Sequence, residues 1–394
     1  MKKLVHPLVW LVFATGCIQK FQPNLVSPST GYLVVDGIIN SGGGPATVHL
    51  SRTTPLTDSS ILNETGATVQ VKGSDNSLYT LSEKGHGLYG TDQLALNAAM
   101  QYRLYIRTAA GTEYLSDFSG VKITPAIDSV HWQQENGGVQ IYANTHDPAN
   151  STHYYKWDYA ETWEFHSPFI KELAYDTVID ANGKPQLGVQ SLNDADISIF
   201  TCWQSDYSTQ ILLASSAKLS SDVITAFPIA NVPPSSIKLS VLYSIELHQF
   251  ALTTDQYNYL AIMQKNTEET GSIFGSQPSQ LRGNIHCVSN PSETVIGYVG
   301  FASMESKRIF INSLQLSGWD YHNFDCMQDS ILTRVEGSPD PYEQINAAFG
   351  RGLIPTTALH VNFATGEVTR FLAAPPFCVD CTLSGTNIKP SYWP

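Results

Sequence analysis

From residue 32 onward the chain carries short runs in which apolar or β-branched positions alternate with polar ones: Tyr32–Gly37, Thr47–Leu50, Thr68–Val71, Leu78–Leu81 and Tyr102–Ile106. A period of two places every second side chain on one face, which is the pattern of a half-buried strand. Ser41–Gly44, Gly73–Asn76, Gly85–Gly87 and Ala109–Gly111 interrupt the runs with turn residues. Five to seven strands in about 95 residues predict a small immunoglobulin-like β-sandwich over residues 31–125, closing near Ile123-Thr124-Pro125.

A second set of strand patterns follows. Ile127–Trp132 and Val139–Tyr142 flank Asn136-Gly137-Gly138, a hairpin turn sequence. Tyr155, Trp157 and Tyr159 fall on one strand face, with Trp163 and Phe165 close behind. Such a face is either a stacking platform for a sugar ring or peptide, or sheet core. One helix is predicted from Thr254-Asp255 to about Thr267, with Thr254 as N-cap, Tyr257, Leu260, Ala261 and Gln264 on one face, and Gly271 ending it. Leu281–His286, Thr294–Ser303 and Lys307–Asn312 then read as long strands of a central sheet. The expected fold is mainly β: the N-terminal sandwich, then a larger β-rich domain over residues 126–394 with one or few helices.

The amino terminus has a different pattern. Met1-Lys2-Lys3 is basic, Leu4–Phe13 is apolar, and Ala14-Thr15-Gly16 places small residues before Cys17. About ten apolar residues are too few to span a bilayer, which takes roughly 20. The segment therefore reads as a cleaved lipoprotein signal peptide, residues 1–16, with Cys17 the lipidated residue and residues 17–30 a proline-bearing tether. Export places the other cysteines, Cys202, Cys287, Cys326, Cys378 and Cys381, in an oxidising compartment where disulfides are the default. Five is odd, so one thiol is expected free and buried or paired with another chain. The connectivity is open, and Cys378-Val379-Asp380-Cys381 is expected to staple a Pro/Gly-rich tail to the body.

Of 394 residues, 42% are hydrophobic and 14% charged, a globular composition. Asp and Glu number 35 against 22 Lys and Arg, for a net charge of −13, the wrong sign for a nucleic-acid binder. No nucleophile elbow, His-Glu-x-x-His, phosphate-binding loop or Rossmann fingerprint occurs. Asp194 with Asp196, or Glu161 with Glu164, offers paired acids of the kind a glycosidase uses, although such spacing is commonest among solvated groups. Asp180-Ala181-Asn182-Gly183 has the start of a calcium loop without its later ligands and reads as a hairpin turn. No catalytic residue, metal site or cofactor is assigned.

Several motifs occur together and in order: Cys17, Tyr32-Leu33-Val34-Val35-Asp36-Gly37, Tyr155-Lys156-Trp157, Cys202-Trp203, Gln277-Pro278 leading to Arg282-Gly283-Asn284-Ile285, Asn290-Pro291 leading to Gly297-Tyr298, and Cys378-Val379-Asp380-Cys381 through Gly385–Trp393. In these the chain resembles an uncharacterised family of Bacteroidetes outer-membrane lipoproteins with a DUF4249-like domain of unknown function. The resemblance implies an accessory partner of a TonB-dependent receptor barrel, lipid-anchored in the outer membrane, with its ligand unspecified. Ile18-Gln19-Lys20-Phe21-Gln22 lacks acids after the cysteine, which leaves the periplasmic and surface leaflets both open. The expected function is a non-enzymatic binding module in ligand capture or uptake. The alternatives are a cell-surface hydrolase, a free-standing glycan- or peptide-binding protein, and a structural envelope protein.

Overall fold

A computed structural model describes residues 31–55, 60–180, 182–268, 283–323 and 325–394. The signal peptide, Cys17, the tether, Gly271, Gln277-Pro278 and Arg282 lie outside the described residues. The protein is mainly β, with two α-helices among the described residues, neither long and apolar enough to cross a membrane.

All five alternating runs of the first region are strands: Leu33–Asp36, Ala46–Arg52, Thr68–Gly73, Leu78–Gly85 and Gln101–Arg107. In Gln101–Arg107 the buried residues are Tyr102, Leu104 and Ile106, the alternation expected of a sheet with one wet face. Ala46–Arg52 lies between Leu33–Asp36 and Leu88–Thr91, and Thr68–Gly73 lies between Leu78–Gly85 and Gln101–Arg107. Their inward faces meet in one core that includes Leu33, Leu50, Val71, Tyr89 and Leu104.

The unit is not contiguous in sequence, as the division at residue 125 had it. Gly300–Ala302 runs parallel between Ile38–Asn40 and Ser119–Lys122, and Ile285–Cys287 pairs antiparallel with Glu113–Ser116. A parallel neighbour cannot be reached through a tight turn, so it has to arrive from a distant part of the chain. These two strands are also short and belong to the sandwich, not to a central sheet. Of the three predicted long strands only the last is one, Met304–Asn312. The insertion is locked by close backbone approach. A Cβ on Gly283 would overlap the Gly297 carbonyl, and Gly297, at φ +137°, sits against the carbonyl of Val35. The Asn284 side chain completes the lock by bonding both ways to the Val299 backbone, at 2.8 and 2.9 Å.

The chain's passages from the sandwich into the second unit near Thr124 and Ser303 are bonded to each other. Thr124 N donates to Ser303 Oγ at 2.8 Å, the Thr124 hydroxyl donates to the Ser303 carbonyl, and Ala251 N donates to Thr124 Oγ1 at 3.0 Å. The second unit packs a three-stranded sheet (Ile127–Glu135, Gly138–His146, Val223–Val232) on a five-stranded one built around Tyr154–His166 and Leu242–Ala251. The Asn136-Gly137 turn forms with both residues at positive φ, as the hairpin prediction requires.

Helix Thr254–Glu268 lies where predicted, but its cap is Thr253, whose hydroxyl accepts from Gln256 N at 3.2 Å. A second helix, Glu343–Gly350, was not predicted. It is only eight residues long, has no side-chain cap, and is held by burying Ile345 and Ala348. It packs with the hairpin Lys171–Ile179/Pro185–Asp196 and the sheet of Asp329–Leu332, Val368–Ala374 and Ile354–Val361 around a third small core containing Leu173 and Phe371. The region 126–394 therefore holds more than one core.

The tail is stapled as expected of its sequence. Cys381 is bonded to Cys202 and Cys378 to Cys326, while Cys287 is free and buried in the sandwich core. Beyond the bridges, Thr386 and Trp203 exchange backbone hydrogen bonds at 2.8 and 2.9 Å, and Trp393 Nε1 donates to Glu164 at 2.8 Å.

Candidate functional site

Strand Tyr154–His166 separates two environments. Tyr155 and Trp157 face the three-stranded sheet, which covers them. Tyr155 and Trp157 are 0% exposed, and the Trp157 ring stacks on Phe227 with centroids 4.6 Å apart. The platform of Tyr155, Trp157 and Tyr159 is therefore not open to a ligand; it is core, because the opposing sheet closes over it. Tyr159, half-buried farther along the strand, alone of the three lines a cavity.

The even-numbered residues form the polar face. Asp158 lies opposite His248 in register, with His248 Nδ1 2.9 Å from Asp158 Oδ1, and Lys156 Nζ donates to the other carboxylate oxygen at 2.9 Å. One strand further on, Glu246 accepts from Arg308, which also donates to Ser244 Oγ at 3.1 Å and carries the Tyr392 ring 3.8 Å from its guanidinium carbon. Burial opposes ionisation of Asp158, but the His248 hydrogen bond and the Lys156 charge outweigh it and hold the carboxyl below its ordinary range.

This face, the sandwich and the helix enclose a cleft of about 640 Å³. Lys156, Asp158, Tyr159 and His248 form one wall; Val34, Asp36 and His49 of the sandwich form the second. Tyr259, Leu260 and Met263 of the helix and Ile296–Tyr298 of the insertion form the third, and the loop Tyr207–Ile211 forms the rim. Burial pushes the phenols of Tyr159, Tyr259 and Tyr298 up, so they are hydrogen-bonding hydroxyls at neutral pH. The cleft exists because the insertion 283–303 fixes the sandwich against the second unit. Its volume lies within the range of small-molecule sites.

The paired acids do not converge. Glu161 is 6% exposed, paired with Lys238 and accepting from Tyr243 at 2.8 Å. Three residues along a strand is an odd step, so Glu164 points to the opposite face. Asp196 accepts from Ser198 and lies 3.6 Å from Lys171, while Asp194 is exposed on the same hairpin strand. Asp180 accepts from Asn182 and Lys184 backbone N–H groups in a hairpin turn. Asp222, Ser216 and His153 do meet, in the wrong order for a triad. The Ser216 hydroxyl donates to Asp222 rather than to His153, which lies 3.4 Å away, and Ser216 is 0% exposed.

All three walls of the cleft and its rim fall within residues 18–308, which match the family described as "Domain of unknown function (DUF4249)". The chain belongs to the DUF4249 family. Its matched span takes in the sandwich, the insertion, most of the second unit and the hairpin Lys171–Ile179/Pro185–Asp196; the rest of the third small core and the stapled tail lie beyond it. No curated protein matches the chain. Among solved structures it is similar to trypsin-activated alpha-2-macroglobulin from Escherichia coli, at 9% identity and TM-score 0.19, covering 58% of this chain and 15% of that one. It is also similar to a Salmonella alpha-2-macroglobulin mutant, at 10% identity and TM-score 0.18, covering 57% and 14%. The chain thus spans about one seventh of those proteins.

The sequence did not announce the cleft because its polar residues come from separate stretches scattered between Asp36 and Tyr298. Asp158 and His248 are 90 residues apart and meet through strand register, which no local pattern announces.

Proposed function

We propose that this DUF4249 protein is a Bacteroidetes outer-membrane lipoprotein, anchored through Cys17, that acts as a non-enzymatic accessory partner of a TonB-dependent receptor barrel and captures ligand for it. The observation that carries the reading is the cleft: an open, tyrosine-rich concavity held between two units tied together by the Thr124, Ser303 and Ala251 hydrogen bonds. Preorganised concavity favours binding, because little ordering remains to be done when a ligand arrives. The lipobox at Cys17 and membership in the family support the anchor and the address.

A gene deletion tests the reading against a structural envelope role. Loss of uptake of one nutrient class with unchanged envelope integrity is the expected result. A weakened envelope with every uptake rate unchanged overturns it. Labelling with a lipid precursor tests the anchor: Cys17→Ala should abolish incorporation, and normal incorporation would show the anchoring site to be wrong.

A further inference from the structure

The cleft carries more than a general capacity to bind. Lys156 and His248 both contact Asp158, each at 2.9 Å, while Asp36 on the sandwich wall is an exposed carboxylate. An anionic ligand would have to draw Lys156 from Asp158 while facing Asp36 as well, and separating a partly buried pair leaves an uncompensated charge. A neutral ligand leaves them intact and uses their spare capacity, since each carboxylate oxygen of Asp158 retains an accepting lone pair. The rim adds Ser208, Thr209 and Gln210. Ser208 Oγ accepts from Tyr159 N at 2.9 Å, which leaves its hydroxyl proton to donate.

The apolar lining of the cleft sets tyrosines among aliphatic residues such as Val34, Ile211 and Ile296. Tyr207, at the end of strand Thr201–Tyr207 and on the rim of the cleft, is 71% exposed, which leaves its ring open to stacking. Tyr159, Tyr259 and Tyr298 line the interior with Leu260 and Met263. Rings that present an apolar face and a polar tip suit a ligand that itself has apolar faces and a polar rim. A peptide side chain would instead need a closed apolar pocket, or a free strand edge alongside. Edge Leu33–Asp36 at the cleft is occupied, because Val35 N and Ile296 N already bond across to Ile296 O and Leu33 O at 2.8 and 2.9 Å.

We infer that the cleft between the sandwich and the second unit binds a neutral oligosaccharide of two or three rings, with Tyr207 as the stacking ring and Asp158 as the hydroxyl acceptor. This names the ligand class for the capture role proposed above and rests on that role being exercised at this cleft.

The test is isothermal titration of the purified chain, lacking residues 1–17, with neutral trisaccharides (maltotriose, cellotriose, xylotriose, mannotriose), with trigalacturonate and a chitosan trimer as charged counterparts, and with a neutral tripeptide. At least one neutral trisaccharide should saturate with Kd below about 1 mM. Tyr207→Ala and Asp158→Asn should each weaken it at least about fivefold, whereas Tyr142→Ala, on the sheet away from the cleft, should leave it unchanged. Thermal melts confirm that each variant is folded, and Tyr207→Ala removes only an exposed side chain. Absence of saturation by every neutral saccharide overturns the inference. So does preference for a charged saccharide or the tripeptide, or wild-type affinity in both cleft variants. Saccharide binding in solution without a barrel in native membrane complexes would uphold the ligand class and remove the receptor partnership, so the two failures are distinguishable.

Discussion

Replacing Gln249 by leucine removes a buried amide that ties together three elements of the second unit. Gln249 is 0% exposed. Its Oε1 accepts from Trp157 Nε1 at 2.9 Å, and its Nε2 donates to the Pro125 carbonyl at 2.8 Å and to Thr145 Oγ1 at 3.0 Å. Leucine is close in volume, so cavity formation contributes little. The loss comes from what stays behind: the Trp157 N–H and the Pro125 carbonyl, both without a partner. Each buried unsatisfied group costs about 1–3 kcal/mol, giving about 2–6 kcal/mol before the favourable burial of the new methyls is subtracted. A net loss of about 2–4 kcal/mol is a large part of a typical total stability of about 5–15 kcal/mol. Urea titration followed by tryptophan fluorescence measures it. Pairing the change with Trp157→Phe gives a cycle in which Gln249→Leu should cost less, since the orphaned N–H is already gone. A loss below about 1 kcal/mol, or the same loss in the Trp157→Phe background, would refute the claim that this amide ties those three elements together.

Three further outcomes follow from the same structure. Gly297→Ala forces an alanine to φ +137° and drives its Cβ into the Val35 carbonyl; a loss of at least about 2 kcal/mol in thermal or urea melts is expected, and near-wild-type stability would contradict the locking role of the insertion. Replacing Cys378 and Cys381 together by Ser removes both bridges to the tail; non-reducing limited proteolysis should then cut within residues 375–394 faster, and an unchanged pattern would show that the Trp203–Thr386 and Trp393–Glu164 bonds suffice. For pH, Asp158 and Asp147 are held below the ordinary carboxylate range, by His248 and Lys156 and by the Ser151, Ala149 and Thr152 donors respectively, with burial opposing in both. Their contribution is present above the unfolded value near pH 4 and is lost as pH falls through the lower folded values. Burial and the Glu293 carboxylate push the Tyr114 phenol up to about 12, with Arg52 opposing, so its contribution is present below about pH 10 and lost as pH rises towards 12. Urea midpoints should therefore decline at both extremes, and Asp158→Asn should flatten the acid limb.

The strands of the sandwich were legible because each is short, locally bounded and alternates on one wet and one dry face; Thr68–Gly73 and Gln101–Arg107 need no distant information to be recognised. The insertion was not, because Gly300–Ala302 is three residues long, buried throughout, and has no alternation to read. Its signal was present in another form, as Gly283, Asn284 and Gly297, whose close contacts explain why those residue types stand there. Aromatic spacing in Tyr155, Trp157 and Tyr159 correctly placed three rings on one face, but whether that face is open depends on the opposing sheet, some 70 residues away at Phe227. The odd cysteine count anticipated a buried thiol, while the pairing of Cys202 with Cys381 and of Cys326 with Cys378 depended on the path of the tail over the five-stranded sheet.

The central claim is partnership with a receptor barrel, and the most direct measurement is purification of the chain from native outer membranes in mild detergent, with the masses and stoichiometry of its companions determined. The account predicts one TonB-dependent barrel per one or a fixed number of copies of this protein. Recovery of the protein alone, under conditions that keep other envelope complexes together, would contradict it.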